Sequence, residues 1–269
     1  MSFDETPAST ELFREDLLSE KTALITGGGT GIGRHLALAF ADHGADVAIV
    51  SRNMDHLAPV EVELRDRGVG AYATTVDVRD HESVVAMTED VIDQIGPITT
   101  LVNNAGANFL CKSEELSPNG WRAVVGTILD GTAYCSFEVG EHMIEHGGGS
   151  IVSMGATNSV LGAPYRAHSG AGKAGVDNLM KTLAAEWATH DVRANTIAPG
   201  PIETEAQSEF MDDETRQQLL DTMVAGRIGT PADCVPLVLF LASDASSFLT
   251  GDYIPVDGGQ LIASPPVSP

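Results

Sequence analysis

The sequence predicts a doubly wound α/β fold, a mainly parallel seven-stranded sheet with helices on both faces, and three observations carry that expectation. Short β-branched runs alternate with helix-length amphipathic stretches over most of the 269 residues. A glycine-rich turn stands between the first such run and the first helix pattern. Hydrophobic residues make up 43% of the chain, enough to bury both faces of a parallel sheet.

The strand runs are TALIT (22–26), DVAIV (46–50), AYATTV (71–76), ITTLV (98–102), SIVSM (150–154), VRANTIA (192–198) and YIPV (253–256). Parallel neighbours need crossovers, and the helix-length stretches between the runs supply them. The first helix is expected over 32–43, directly after the glycine turn, and a second from Met54 to Arg67, stopping near Gly68. Pro118 suits the first turn of a long helix that continues to Glu145. An alanine-rich stretch over 171–189 is the strongest remaining helix. Residues 199–230 have weaker periodicity and read as a substrate flap with short helices. With residues 1–20 as an N-terminal extension and no repeat or linker, 1–269 reads as one domain.

Thirty-eight acidic residues against 15 basic ones give a formal charge of -23, too few cations to neutralise the phosphates of a nucleic acid. Such a surface suits either a very soluble protein or one adapted to high salt, where counter-ions screen carboxylate repulsion. Cys111, Cys135 and Cys234 lack the spacing of a zinc or redox site, so no metal is expected and all three read as small buried residues. The acidic start has no apolar run and no later stretch reaches membrane-span length, which points to a soluble cytoplasmic protein.

The turn Thr26-Gly27-Gly28-Gly29-Thr30-Gly31-Ile32-Gly33 opens directly into a helix. Glycines 27, 31 and 33 let backbone N–H groups and the positive helix end meet a pyrophosphate, so Thr30 and Ile32 also fall at the nucleotide. About twenty residues on, where an NAD site places an acid for the ribose 2′-hydroxyl, stands Arg52. Its guanidinium can grip a 2′-phosphate, which favours NADPH over NADH; the alternative is a surface arginine at the start of the next helix.

With these motifs in order, the chain resembles the short-chain dehydrogenases/reductases, Rossmann-type oxidoreductases, over nearly its whole length. Asn103-Asn104-Ala105-Gly106, Asp77-Val78, Pro199-Gly200-Pro201-Ile202 with Thr204, and Asp257-Gly258-Gly259 carry the resemblance. It implies that Asn104, Ala105 and Gly106 support the sheet beside the cofactor and that Asp77 and Val78 lie near adenine. Pro199, Gly200, Ile202 and Thr204 hold the nicotinamide amide, and Lys173 binds the nicotinamide ribose. The usual catalytic set is altered. The tyrosine position four residues before Lys173 is Ser169, the usual serine is Ala156, and the helix-four asparagine is Ile128. Tyr165, eight residues before Lys173, lies about 12 Å away along a continuous helix, too far to replace the missing phenol unless the chain bends.

These departures resemble the 2,4-dienoyl-CoA reductases of the mitochondrial and peroxisomal types. The matching stretches are Leu12-Phe13 with Asp16-Leu17-Leu18, Ser51 to Asp55, Asn108 to Cys111, Leu116 to Asn119 with Trp121, and Leu183 to Trp187. In this resemblance Asp130 takes the place of an asparagine that hydrogen-bonds the thioester, and Asn158 falls where the mitochondrial form has its tyrosine. Homotetramers are common in the resembling family, and helices 117–145 and 165–189 are the candidates to pair.

The chemistry is consistent with the altered set. Hydride added to a ketone leaves a localised alkoxide that needs a strong nearby acid, and serine is too weak an acid for that. Hydride added to a conjugated dienoyl thioester leaves an extended enolate, for which hydrogen-bond donors suffice. The expected catalytic group is therefore Lys173, orienting the ribose, with Ser169 supporting it and Asn158 donating to the thioester. Asp130 either donates when protonated or orients a water. Against these roles stand simple ones: Ser169 packing, Asn158 serving a turn, Asp130 capping a break in its helix, and His168 structural. An acyl-CoA is itself anionic, so its binding needs a local basic patch and benefits from moderate salt. A carbonyl or alcohol oxidoreductase and a catalytically weak NADP-binding protein remain as alternatives.

Overall fold

The computed structural model describes residues 13–204, 212–221 and 223–262. Seven strands form one sheet in the order β3-β2-β1-β4-β5-β6-β7, and every neighbouring pair is parallel. They are β1 (Thr22–Thr26), β2 (Asp46–Ser51), β3 (Ala71–Thr75), β4 (Thr100–Asn103), β5 (Gly149–Met154), β6 (Val192–Pro199) and β7 (Tyr253–Val256). Each coincides with a predicted run to within two residues at either end.

Successive strand residues enter opposite cores. Ala23 and Ile25 of β1, Val47 and Ile49 of β2, and Val102 of β4 join Leu36, Phe40 and Leu239 on one face. Leu24, Ala48, Val50 and Leu101 join Ile128, Val139 and Met180 on the other. This period of two, with both sides apolar, explains why the strands read as unbroken hydrophobic runs.

The helices are α1 (Gly31–Asp42), α2 (Met54–Asp66), α3 (His81–Ile95), α4 (Pro118–Val125), α5 (Gly131–Glu145), α6 (Ala167–Trp187), α7 (Asp213–Leu220) and α8 (Pro231–Ala242). Local chemistry sets their starts. The Asn53 side chain accepts from the Asp55 N–H, and Ser117 Oγ accepts from the Gly120 N–H with Pro118 in the first turn. Thr230 and Asp233 form a capping box ahead of α8.

The structure changes two helix expectations. The segment from Pro118 to Glu145 is not one regular helix, because residues Gly126–Asp130 form a π-helical turn between α4 and α5. There Gly131 lies against Val78, and a Cβ on it would meet the Val78 side chain at 2.5 Å. The alanine-rich helix starts four residues earlier than the predicted 171, at Ala167, and ends at Trp187. Of the flap, only α7 and its flanks are described; 205–211 and 222 lie outside the described residues, as does Leu12. Cys135 and Cys234 are buried as expected, their thiols pushed up to about 12 by desolvation, whereas Cys111 is partly exposed. Among the described residues no helix is long and apolar enough to cross a membrane.

The strand order reverses between β1 and β4, which opens a crevice beyond the carboxyl ends of these strands. Most of the candidate residues lie on the turns and helix starts around it, Asp130 excepted.

Candidate active site

The first half of the site is a cradle of backbone. Gly27 and Gly31 hold φ of 67° and 51°, a region that disfavours side chains. A Cβ on Gly33 would sit 2.1 Å from the Gly27 carbonyl oxygen, so only glycine lets α1 start this close to the turn. Thr30 makes no side-chain cap to α1, which leaves the first N–H groups of the helix free to meet an anion.

Thr26 stitches this turn to the one after β4. Its hydroxyl accepts from the Asn104 and Ala105 N–H groups at 3.0 and 2.9 Å, while Asn104 Nδ2 donates to the Thr26 and Gly27 carbonyls. Asn103 Nδ2 donates to Ser136 Oγ and Ser153 Oγ, tying β4 to α5 and β5. Gly106 follows and is exposed. The loop after β6 closes the cradle. Ile202 is buried and pairs with Gly229, Gly200 approaches Asp257, and the Thr204 methyl lies 3.4 Å from where a Gly31 Cβ would be.

At the rim, Arg52 is exposed just past β2 and has no hydrogen bond or ion pair among the described residues. Arg79, absent from the sequence argument, grips Asp77 with a fork at 2.9 and 2.5 Å. That fork, with the Arg79 N–H and the charge of Arg52, holds the Asp77 carboxyl down at about 2. The rim therefore carries two guanidiniums against one permanently ionised acid. The Asp-x-Arg spacing after β3 was the available signal for Arg79. Val78, between them, is buried against Gly131 at the start of α5.

The second half of the site is built on α6. Lys173 Nζ donates to the Met154 carbonyl at the end of β5. Burial lowers its pKa to about 8, so the ammonium is loosely held compared with a surface lysine. One turn earlier the buried Ser169 hydroxyl accepts from Asn158 Nδ2 at 3.3 Å, and Asn158 Oδ1 is buried without a partner. His168 is fully buried, its Nδ1 accepts the Ser169 N–H at 2.7 Å, and desolvation lowers its pKa. A neutral ring accepting at Nδ1 carries its proton on Nε2, which has no partner. The Phe109 ring stands edge-on to it at 4.5 Å.

Lys173, Ser169 and Asn158 are thus brought together, and Asp130 is not. Ile128 and Leu129 pack on Gly172 and Gly175 of α6, but Asp130 is exposed, and its Oδ2 lies 3.7 Å from a Cβ position on Gly126, beside the Arg79 stem. No hydrogen bond joins it to the other three. Tyr165 lies before α6 with φ of 65°, so the chain does bend there, and its ring is exposed. Its carbonyl accepts the Cys111 N–H at 3.0 Å, clasping two loops whose Phe109, Leu110, Val160 and Leu161 are exposed.

The chain is similar to known proteins over most of its length. A family profile described as enoyl-(acyl carrier protein) reductase matches residues 27–260. A probable 2,4-dienoyl-CoA reductase, (2E)-enoyl-CoA-producing, of Bacillus subtilis (strain 168) is 36% identical over 247 residues, 90% of this chain and 97% of the relative. A peroxisomal 2,4-dienoyl-CoA reductase, (3E)-enoyl-CoA-producing, of Danio rerio is 35% identical over 95% of this chain and 86% of its own length. A gluconate 5-dehydrogenase from Burkholderia cenocepacia J2315, solved in complex with NADP and tartrate, superposes with a TM-score of 0.88 at 35% identity, covering 93% of this chain and 98% of that one.

Proposed function

We propose that this chain, which belongs to the short-chain dehydrogenase/reductase family, is an NADPH-dependent reductase of conjugated enoyl and 2,4-dienoyl thioesters. The observation that carries the reading is the pairing of an intact nucleotide cradle with Ser169 and Asn158 where the family's phenolic acid normally stands.

The cradle fits a dinucleotide: uncapped N–H groups of α1 face a turn that only glycines allow, and Arg52 offers an unpaired guanidinium to a ribose phosphate. Gly27, Thr30, Gly31, Ile32 and Gly33 would hold the pyrophosphate, Asp77 and Val78 the adenine, and Lys173 the nicotinamide ribose. Asn104, Ala105 and Gly106 would back the cradle, and Pro199, Gly200, Ile202 and Thr204 would cover the nicotinamide. When bound, the reduced nicotinamide supplies a hydride.

The protein's own groups then stabilise the charge that develops on the substrate. Because Ser169 Oγ accepts from Asn158, its own proton is free to be donated to the thioester oxygen. Lys173, held on the Met154 carbonyl, adds positive potential to the same pocket. An enolate spread over the diene and thioester needs these donors more than a strong acid, and its carbon can take a proton from water. The exposed Phe109, Leu110, Val160 and Leu161 suit an acyl chain. Lys112 and Arg166 flank the Cys111–Tyr165 clasp, and Arg166, like Arg122 on α4, has no ion pair among the described residues. They meet the need of an anionic CoA for local cations in a chain of charge -23.

One assay tests the reading: loss of NADPH absorbance is followed with 2,4-hexadienoyl-CoA, with acetoacetyl-CoA and with no acceptor. Turnover of the dienoyl thioester at least tenfold above the ketone is expected. Preference for the ketone, or no turnover of either, would overturn it.

A further inference from the structure

Asn158 sits in a single turn of 3-10 helix, Thr157–Ser159, between β5 and the loop to α6, and that turn is fastened from a distant part of the chain. The Tyr253 phenol, on β7, donates to the Ala156 carbonyl at 3.1 Å and accepts from Ser159 Oγ at 3.2 Å. The Thr157 hydroxyl donates to Gln260 Oε1 at 2.7 Å. Residues on both sides of Asn158 are therefore pinned, while its own amide is left to face Ser169.

The pins are themselves anchored. Tyr253 belongs to β7, paired with β6, and burial raises its pKa, so it stays a neutral donor throughout the physiological range. Gln260 stands on a turn closed by Asp257, whose carboxylate accepts the Gly259 and Leu261 N–H groups at 2.9 and 2.8 Å. Neither side chain has another hydrogen-bonding task among the described residues. A turn of three residues has too few internal bonds to hold a catalytic amide within a fraction of an ångström, and outside support supplies what it lacks.

We propose that Tyr253 and Gln260 are positioning residues that fix the turn carrying Asn158 and so aim its amide at Ser169; the consequence for turnover rests on the thioester reading above. The phenol restrains residues 156 and 159, and the glutamine restrains residue 157. Both bond to the turn and neither bonds to Ser169 or Lys173.

The test compares the native chain with Tyr253→Phe combined with Gln260→Leu, and with the same phenylalanine combined with Gln260→Glu, which keeps an oxygen to accept the Thr157 hydroxyl. Hydrogen exchange is read at Ser159, Val160 and Leu161, whose amides bond back to Ala156 and Thr157 within the turn. In the leucine double variant exchange at these three rises about tenfold while α6 is unchanged, and the glutamate variant recovers part of the protection. If the double variant melts, Tyr253→Phe alone, which keeps the ring, is measured instead. In turnover, the leucine double variant loses about tenfold in kcat at unchanged NADPH affinity, and adding Asn158→Ala to it costs little more. Unchanged exchange in a folded variant overturns the proposal, and so does a further loss from Asn158→Ala as large as in the native background. If the native chain reduces no thioester, the functional reading has failed and the exchange measurement alone decides the clasp.

Discussion

The two halves of the crevice are held by different means. On the cofactor side the Gly27–Gly33 turn and the Asn104 turn are joined through the Thr26 hydroxyl and the Asn104 amide, each bonded to backbone groups, and a missing side chain is the decisive feature. On the acceptor side the working atoms are side chains, and two have no partner among the described residues: Asn158 Oδ1 and His168 Nε2 are both buried and unmatched. A backbone cradle recognises what every dinucleotide shares. Unmatched buried polar atoms carry a cost that a bound substrate can relieve, and they confer selectivity because the wrong substrate leaves them unrelieved.

The sharpest way to break this contrast is to put an atom where the cradle allows none. A Cβ on Gly33 would overlap the Gly27 carbonyl, which is backbone and cannot rotate away. Gly33→Val is expected to lower NADPH affinity a hundredfold or more, measured by quenching or enhancement of nucleotide fluorescence. Gly162→Ala, with nothing within 4 Å of the new atom, leaves that affinity unchanged. Equal affinities for both variants and the native chain would mean that the turn does not hold the nucleotide.

Lys173 joins the halves, and its protonation sharpens the comparison. Its folded pKa of about 8 lies below the ordinary 10.5, because burial penalises the charge. Between those values the unfolded chain binds more protons than the folded one, so stability rises with pH across the window; below about 8 the full penalty is present. Lys173→Met should therefore raise the melting temperature by a few degrees at pH 7, an advantage that shrinks toward pH 10 and outweighs the lost bond to Met154. The same change should lower kcat/KM by about a hundredfold or more. In the native enzyme kcat/KM falls as pH climbs through about 8, where the ammonium is lost. A variant that is both less stable and fully active would contradict each part of this account.

How much of this was legible in the sequence follows the same division. The cradle is written in local order, since glycines between a strand and a helix have one structural use, and Thr204 was found through its own loop although it meets Gly31 from far away in the chain. The strands were legible because both sheet faces are apolar. The acceptor side depends on bonds between distant segments: Thr157 to Gln260 spans 103 positions and Ser159 to Tyr253 spans 94, and no spacing announces such pairs. Helix periodicity also fails at a π-turn, which inserts a residue and rotates all that follows.

Arg52 tests the rim, with a smaller effect. It is exposed, and it shares the rim with Arg79, whose fork is already occupied by Asp77. Arg52→Ala is expected to weaken NADPH about tenfold to thirtyfold and to leave NADH within about twofold, because only the 2′-phosphate loses a partner. Isothermal titration with both nucleotides checks it. Equal losses would assign Arg52 to general electrostatics and pass the phosphate to Arg79.

Asp130 should give the smallest effect, and it is the residue on which resemblance and geometry pull apart. Its place in the sequence suggests a partner for the thioester, yet the π-turn sends Ile128 and Leu129 toward α6 and leaves Asp130 in solvent near Gly126 and the Arg79 stem. An exposed carboxylate there has water for its partner and is screened from the pocket. Asp130→Ala is accordingly expected to change kcat/KM for 2,4-hexadienoyl-CoA by less than about threefold, with kcat and KM read separately by initial rates. A fall beyond tenfold carried in kcat would show that the carboxylate turns inward when substrate is bound. The donor group would then have four members, and the acceptor side would be assembled by the ligand instead of waiting for it.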